Sequence, residues 1–346
     1  MAQVEIRAPV SVVDNAGRPS NFGWARSALF QYDPDLVRVP RRRINESDRY
    51  IVFSSTHLVV FEVLDSGYLG CVGTSVISTK DKQRTSHLIV VPFSLGGFAM
   101  PAKSERGCVR LREKEAVITF AALEKGEKGI RIIKTDIPHF GHQRRLRGEL
   151  VLFEPAGAQS IVTHTSWRRD RDAFRCVRRS PWYVAEGVVQ FGTTELVFTR
   201  GNAWGIFEWH RGVRPRMDTR YWASACGVCG GKQIGFSVGY GSEDARAGTE
   251  NGFFLEGRLH KLDQVTFHIS PTDWLRPWHF TSNDNRLEMR FIPYQDRLEH
   301  TSRFLFYSHK YLQVCGLFSG TVILDDGSPL SFQNITGFAE RRKTRF

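Results

Sequence analysis

A chain of 346 residues, of which 41% are hydrophobic, is long enough to bury its own core as one unit or as two lobes of about 150 residues, so its 6 cysteines are not needed as disulfide staples. The formal net charge of +12 would suit a nucleic-acid partner, but the basic residues form separate clusters that match no nucleic-acid-binding module, so nucleic acid is not the expected partner. The sequence shows no export signal and no run of about 18 apolar residues, which favours a soluble, cytoplasmic protein without a membrane span.

The chain is predicted to consist of short strands. Residues 1–40 are expected to form an extended arm, because turn residues interrupt any regular pattern there. Over residues 50–340, runs rich in Val, Ile, Phe and Thr alternate with turn residues, as in Lys232–Val238 and Arg258–Leu262. No segment keeps a 3.6-residue period, and roughly twenty short strands are typical of sandwiches and barrels. The sequence therefore predicts an all-β protein.

A change of composition divides the chain near its middle. Gly, Ala and Pro are concentrated at Pro155–Ala158, and the stretch Trp167–Arg179 that follows is basic with interleaved aspartates. Such a change favours a boundary between lobes. We therefore expect an N-terminal β lobe with an extended arm over residues 1–165 and a C-terminal β lobe over residues 166–346.

The segment Gly201–Gly230 of the second lobe is dense in residues that are costly to place. Trp204, Trp209 and Trp222 supply large apolar faces, while a glutamate, an aspartate and several arginines supply charge of both signs. Unpaired charges are expensive in a protein core, and a surface loop does not need three tryptophans. The combination is typical of a ligand pocket that has an aromatic wall and a polar cluster.

Two carboxylates in aromatic surroundings are the candidate acid and base. Glu208 stands between two aromatic residues, and Glu250 precedes Asn251 and a pair of phenylalanines. An apolar wall raises the pKa of a carboxyl, whereas a facing arginine such as Arg211 keeps it low, and either state is useful for moving protons. The alternative is a buried ion pair that closes a barrel or fixes a strand end.

The remaining titratable and thiol groups match no metal or cofactor motif. Cys226 and Cys229 form a C-x-x-C, but no second pair supplies the two further ligands that zinc requires. His260 could titrate near neutrality and Trp278 would suit a capped barrel mouth, although core packing explains both. Glycine-rich phosphate loops and the G-x-S-x-G elbow are absent from the sequence. We therefore predict no metal and no cofactor.

Several segments form a set that spans nearly the whole chain. In order they are NFGWARSALFQYD, DRYIVFSSTHLVVFEVLDSGYLG, GIFEWHRG, YWASACG, GTENGFFLEGRLHKLDQVTF, DWLRPWHF and NRLEMRFIPYQDR. This set resembles the bacterial domain-of-unknown-function family 2804. Two departures are Glu208, where the family more often has aspartate, and the cysteine pair Cys226 and Cys229. The first keeps a carboxylate, and the second argues against a cysteine chemistry shared by the family.

The resemblance implies an architecture similar to that of two-lobed lipocalin-like proteins, which include carotenoid hydratases and some cyclases of natural-product pathways. The expected fold is two antiparallel lipocalin-like barrels or strongly curved sheets packed side by side. A ligand would lie in a barrel mouth or between the lobes. The cluster of tryptophans, carboxylates and arginines would then line it.

These expectations predict a small-molecule binding protein with an acid–base enzymatic role, namely hydration, cyclisation or isomerisation of a largely apolar substrate by a lyase or an isomerase. The expected catalytic residues are Glu208, Arg211 and Glu250, and the expected ligand-binding residues are Trp204, Trp209, Trp222, Asn251, His260 and Trp278. Two alternatives stay open. One is a carbohydrate-active enzyme with Glu208 and Glu250 as paired carboxylates, and the other is a non-catalytic carrier or sensor. The sequence indicates neither the substrate nor the oligomeric state.

Overall fold

The computed structural model describes residues 3–114, 116–125, 128–141, 144–304 and 307–345, and almost all of its regular structure is β-strand. The helical structure in these ranges is limited to two 3-10 turns, Pro34–Leu36 and Arg41–Arg43. No helix in the described ranges is long and apolar enough to cross a membrane. The prediction of an all-β fold is confirmed.

The strands follow one another along the whole chain. The first fifteen are β1 (Val10–Ser11), β2 (Gly23–Ala25), β3 (Phe30–Gln31), β4 (Ile44–Phe53), β5 (His57–Asp65), β6 (Leu69–Ser78), β7 (Arg84–Pro92), β8 (Gly107–Glu113), β9 (Ala116–Lys125), β10 (Lys128–Phe140), β11 (Arg144–Phe153), β12 (Ile161–Trp167), β13 (Asp170–Phe191), β14 (Thr194–Phe198) and β15 (Trp204–Val213). The others are β16 (Met217–Cys229), β17 (Lys232–Gly241), β18 (Gly252–Leu255), β19 (Arg258–Lys261), β20 (Val265–His268), β21 (Trp278–Ser282), β22 (Leu287–Phe304), β23 (Tyr307–Ile323) and β24 (Pro329–Arg345).

The first sheet has 13 strands and curls into a nearly closed barrel. Its main path runs β7-β6-β5-β4-β15-β13-β11-β10-β9-β8, with β14 and β12 on β13 and with β2 on β12. Neighbouring strands along this path are antiparallel, whereas β1 and β3 form a small parallel pair beside the sheet. The second sheet has 9 strands in the order β19-β18-β17-β16-β24-β23-β22-β21-β20 and curls into a half-barrel. Two curved antiparallel sheets were expected, and this expectation is confirmed.

Strand β4 shows why the two sheets pack together. Side chains alternate between the faces of a strand, so Tyr50 and Val52 enter the core of the first sheet while Ile51 and Phe53 point the other way. Ile51 and Phe53 pack in a cluster with Trp222 and other residues of the second sheet. The continuous apolar run of β4 is therefore explained by burial on both faces.

The core of the first sheet is filled by large side chains. The ring of Tyr50 lies 4.8 Å from Phe207 and 4.9 Å from Phe120, and the guanidinium of Arg131 lies 3.7 Å from the ring centre of Phe207. Arg131 also donates a hydrogen bond to the Tyr183 hydroxyl at 2.7 Å. These side chains fill the core of the first sheet.

The change from one sheet to the other falls after β15. Strands β13, β14 and β15 belong to the first sheet, and the chain enters the second sheet between Val213 and Met217. Sheet membership reports hydrogen bonding and does not report independent folding. The division into lobes over 1–165 and 166–346 stays a prediction.

Candidate functional site

A cleft of about 1640 Å3 lies between the two sheets. One wall is the hairpin of β12 and β13, over residues 163–175. The other wall is formed by residues 214–219, at the start of β16, and by residues 239–251, at the end of β17 and in the segment that links it to β18. We call this space the inter-sheet cleft.

Carboxylates and arginines from both sheets meet at the inter-sheet cleft. Arg175 of β13 forms an ion pair with Glu243, which follows β17, and its Nη2 lies 3.9 Å from Glu250. Arg220 of β16 approaches Glu250 at 2.7 Å. The side chains of Arg175, Glu243 and Glu250 are all at least nine-tenths buried. Charges this deeply buried require partners, and these residues supply them to one another.

Arg179 continues this cluster behind the cleft wall. It lies four residues after Arg175 in the extended strand β13, so both side chains point to the second sheet. The Arg179 guanidinium forms an ion pair with Glu208, its antiparallel neighbour on β15, and reaches Glu250 at 3.3 Å. Its Cζ lies 3.6 Å from the ring centre of Trp222, so the cation also stacks on the indole.

Asp218 lies at the start of β16 and lines the inter-sheet cleft. Burial raises the pKa of its carboxyl to about 6, while Arg175 opposes the rise and Glu243 adds to it. Its Oδ1 atom is buried and has no hydrogen-bond partner among the described residues. A carboxyl that changes protonation near neutral pH is suited to donate or accept a proton.

The first wall of the cleft also carries buried polar atoms without partners. Thr165 and Arg175 are neighbours across β12 and β13, and the Arg175 guanidinium lies 6.0 Å from the ring centre of Trp167 at the end of β12. Within the described ranges, Thr165 Oγ1, Trp167 Nε1 and the Nε and Nη1 atoms of Arg175 have no hydrogen-bond partner. A buried polar atom without a partner costs about 1–3 kcal/mol, so this wall favours an oxygen-rich ligand or bridging water.

A second group of ion pairs joins the sheets away from the cleft. Arg49 of β4 holds Glu340 of β24 at 2.8 Å, and the Tyr311 hydroxyl donates to the same carboxylate at 2.8 Å. Arg342 of β24 pairs with Glu62 of β5 at 2.9 Å. Burial alone would raise the pKa of Glu340, but Arg49 and Arg342 lower it to about 2.

The structure brings four of the predicted site residues together. Glu208, Trp222, Glu250 and Asn251 lie at or directly behind the inter-sheet cleft. Glu250 and Asn251 line the cleft, whereas Glu208 and Trp222 contact it through Arg179. The Asn251 side chain accepts from the Gly239 amide at 2.6 Å and donates to the Asp263 carbonyl at 2.7 Å, so it holds the segment that bears Glu250.

The expected pairing of Glu208 with Arg211 does not form. The two residues are three apart on β15, and an odd spacing puts side chains on opposite faces of a strand. Arg211 instead pairs with Asp48 at 2.9 Å, donates to the Pro101 carbonyl and lies 4.8 Å from the ring centre of Trp209. In place of Arg211, Arg179 and Arg220 contact Glu208.

The structure places three further predicted ligand-binding residues outside the lining of the cleft. Trp204 packs against the cluster between the sheets. The His260 Nδ1 atom accepts a hydrogen bond from the Asp325 amide at 3.1 Å, and burial lowers the pKa of the ring. Trp278 lies in the core of the second sheet and donates to the Trp274 carbonyl at 3.0 Å. Their binding roles stay predictions.

Sequence reasoning misses Asp218 and the two arginines of β13. From its sequence, the stretch Trp167–Arg179 is interpreted as a charged boundary between lobes, because its many charged residues are not typical of a strand. Strand alternation is the signal that could have identified these residues. Arg175 and Arg179 are an even number of residues apart, so they lie on the same face of the strand, and Thr165 is paired with Arg175 across the hairpin. In the described part of the chain, no group of three or more His, Cys, Asp or Glu side chains is arranged to hold a metal ion.

Comparisons with known proteins identify a family and several solved structures of low sequence identity. Among solved structures, kievitone hydratase from Nectria haematococca is 12% identical over 86% of this chain and 88% of its own, with a TM-score of 0.47. CghA with Sch210972 is 10% identical over 88% of this chain and 89% of its own, with a TM-score of 0.45. A search of curated proteins found no match. The family model described as a domain of unknown function (DUF2804) matches residues 3–346, and the chain therefore belongs to this family.

Proposed function

We propose that this protein binds a small molecule in the inter-sheet cleft and carries out acid–base chemistry on it. The observation that carries the proposal is the position of Asp218: it lines the cleft, and burial raises its pKa to about 6. Next to it, Glu243 and Glu250 are held by arginines. Carboxyl groups in contrasting environments can divide acid and base roles between them.

In this proposal Asp218 exchanges a proton with the substrate. Its protonated form would give a proton to a double bond or a carbonyl oxygen, and its ionised form would take one from carbon or from an attacking hydroxyl. Glu250, fixed by Arg175 and Arg220, would orient the substrate and stabilise positive charge that develops during the reaction. Hydration, cyclisation and isomerisation all fit such proton transfers.

Glu208, Arg179 and Trp222 have a positioning role in this proposal. Arg179 contacts both Glu208 and Glu250, so the stacked guanidinium on Trp222 fixes the orientation of Glu250. The same contact weakens the carbohydrate alternative, because paired glycosidase carboxylates flank the substrate, whereas here an arginine stands between them.

The test is a comparison of the wild-type protein with Asp218→Asn. Both would be incubated with a metabolite extract, and loss and appearance of compounds would be followed by mass spectrometry. We expect the variant to lose about a hundredfold or more of the conversion rate, since general acid–base catalysis contributes about 10²–10⁴-fold. We also expect wild-type rates to depend on a group that titrates near pH 6.

Asp136→Asn is the matched control, because Asp136 of β10 also pairs with an arginine, Arg145, but lies outside the lining of the cleft. It should keep wild-type conversion. Equal conversion by Asp218→Asn and the wild type would contradict the acid–base role. A compound that binds both proteins and is never converted would favour the carrier instead.

A further inference from the structure

We propose that the ligand of the inter-sheet cleft is an organic anion, with an acidic oxygen-bearing group that arginines bind and an apolar body. This inference rests on the proposed function only in taking the cleft as the ligand site. In the described part of the chain, nine arginines and six carboxylate residues line the cleft. The pairing of these charges decides what remains for a ligand.

The carboxylates at the rim of the cleft are already occupied. Arg43 lies 2.8 Å from Asp170 and 3.4 Å from Asp172. Arg246 lies 2.6 Å from Asp244, and Arg168 approaches the same carboxylate at 3.3 Å. Glu243 and Glu250, deeper in the cleft, are held by the arginine cluster described above. The sixth carboxylate is Asp218, and even when it is ionised the nine arginines outnumber the six carboxylates of the cleft.

Four arginines of the cleft keep their guanidinium groups available. Arg42, Arg169, Arg171 and Arg216 have no carboxylate within ion-pair distance among the described residues, and all four are exposed. A guanidinium presents a planar fork of donors that matches the two oxygens of a carboxylate and the oxygens of a sulfate or phosphate. The excess positive charge of the cleft therefore favours an anion.

The hairpin that bears two of these arginines is held in place. The Asp244 amide donates to the Ser166 carbonyl at 2.7 Å, and Arg168 pairs with Asp244, so the hairpin tip is attached to the second sheet. Arg169 and Arg171 flank Asp170, which Arg43 holds from the other side. Because the backbone of this hairpin is already anchored, ligand binding has to order only the two arginine side chains and not the loop that carries them.

The wall of the cleft also carries hydrogen-bond donors that could bind an anion. Trp167 Nε1 and two nitrogen atoms of Arg175 are buried donors without partners in the described ranges. Oxygens of an anion, directly or through bridging water, are the acceptors that would satisfy them. The donors at the rim and on the wall therefore face the same kind of ligand group.

The opposite side of the cleft offers apolar contact. Tyr240 is 39% exposed, and its ring stacks on Tyr221 with centroids 4.8 Å apart. Met217 is 59% exposed, beside Arg216 at the start of β16. A ligand whose acidic group lies on the arginines could place a flat or aliphatic body against these side chains. The chemical class is therefore an amphiphilic acid.

The test uses 1-pyrenebutyrate and its neutral amide, titrated into the full chain at low salt while fluorescence is recorded. We expect the acid to bind about tenfold or more tightly than the amide, because only the acid forms ion pairs with the arginines. Added salt should lower this ratio of affinities. In the double variant Arg169→Gln and Arg171→Gln the ratio should fall to about threefold or less.

The double variant Arg110→Gln and Arg112→Gln is the control, because these exposed arginines lie on β8, outside the cleft. It should keep the wild-type ratio. No binding of the acid, equal binding of acid and amide, or an unchanged ratio in the hairpin variant would overturn the proposal. So would a duplex DNA fragment that displaces the acid and loses affinity in the hairpin variant more than the acid does.

These are binding measurements and need no turnover. If the acid is not preferred while conversion still depends on Asp218, the anion inference fails and the proposed function stands. If the acid is preferred but conversion does not depend on Asp218, the anion inference stands and the proposed acid–base function fails.

Discussion

The carboxyl of Asp218 links the chemistry of the cleft to the stability of the fold. Its usual pKa is near 3.8, and burial raises it to about 6 in the folded protein. Between these pH values the folded state holds a proton that the unfolded state has released. We therefore expect the free energy of unfolding to fall by about 3 kcal/mol as pH rises from about 4 to about 6.

Asp218→Asn should remove this loss, because the amide does not ionise. At pH 7.5 we expect the variant to be more stable than the wild type by about 3 kcal/mol, and we expect the difference to close as the pH falls to 4. Urea unfolding across this pH range measures it. Glu195→Gln, at an exposed position of β14, is the control and should show no such trend. A difference that does not change with pH would contradict the raised pKa.

At the residue scale, the sequence locates part of the cluster. Glu250, Trp222 and Glu208 are recognisable because large aromatic and charged residues share short segments. Their partners are not recognisable in this way. Arg179 reaches Glu208 through strand pairing and Glu250 through sheet packing, and neither contact follows from spacing along the chain.

At the scale of elements, strands rich in apolar residues are predicted well from the sequence, whereas strands rich in charged residues are not. Lys232–Val238 and Arg258–Leu262 are expected strands, and the structure has β17 over Lys232–Gly241 and β19 over Arg258–Lys261. Strand β13, in contrast, begins at Asp170, inside a stretch whose arginines suggest a solvated surface. Arg175 and Arg179 of this strand are buried because Glu243 and Glu250 face them, and these carboxylates come from a part of the chain that is distant in sequence.

The close approach of β17 to β13 depends on a glycine. A Cβ atom built on Gly235 would overlap the Pro181 carbonyl oxygen, and backbone atoms cannot move aside as a side chain can. We expect Gly235→Ala to force the two sheets apart and to lower the free energy of unfolding by about 1–3 kcal/mol or more. Thermal and urea unfolding measure the change.

Gly227→Ala is the matched control for this prediction. Gly227 lies on the neighbouring strand β16, and a Cβ there would meet Ile335 at 3.6 Å, an ordinary contact distance. This variant should unfold within about 1 kcal/mol of the wild type. If the two variants are equally stable, the sheets are not packed as tightly at Gly235 as described.

At the scale of the whole molecule, one buried and one partly exposed ion pair join the two sheets across the interface. The pair of Arg49 with Glu340 connects β4 to β24, and the pair of Glu62 with Arg342 connects β5 to the same strand. The sequence predicts two curved sheets, and it does not predict these pairs, because residues 49 and 340 are far apart in the chain. The sequence gives the number of charged residues, but which of them form ion pairs depends on how the two sheets pack together.

Glu340 provides the test of this interface. Its usual pKa is near 4.5, and Arg49 and Arg342 lower it to about 2 against the effect of burial. The ion pair therefore adds stability above about pH 4.5 that is lost as pH falls towards 2, a difference of about 3 kcal/mol. Glu340→Gln leaves Arg49 buried without its carboxylate, and we expect a loss of about 3–5 kcal/mol at pH 7.

The loss in Glu340→Gln should shrink as pH falls from 5 to 2, because the wild-type carboxylate then becomes neutral as well. Urea unfolding of both proteins across this range measures it. Glu149→Gln, which breaks an exposed pair with Lys134, should cost no more than about 1 kcal/mol at any pH. If Glu340→Gln is as mild as this control at pH 7, the pair of Arg49 with Glu340 does not hold the two sheets together, and the apolar cluster around Ile51 and Trp222 contributes more to the interface than this pair does.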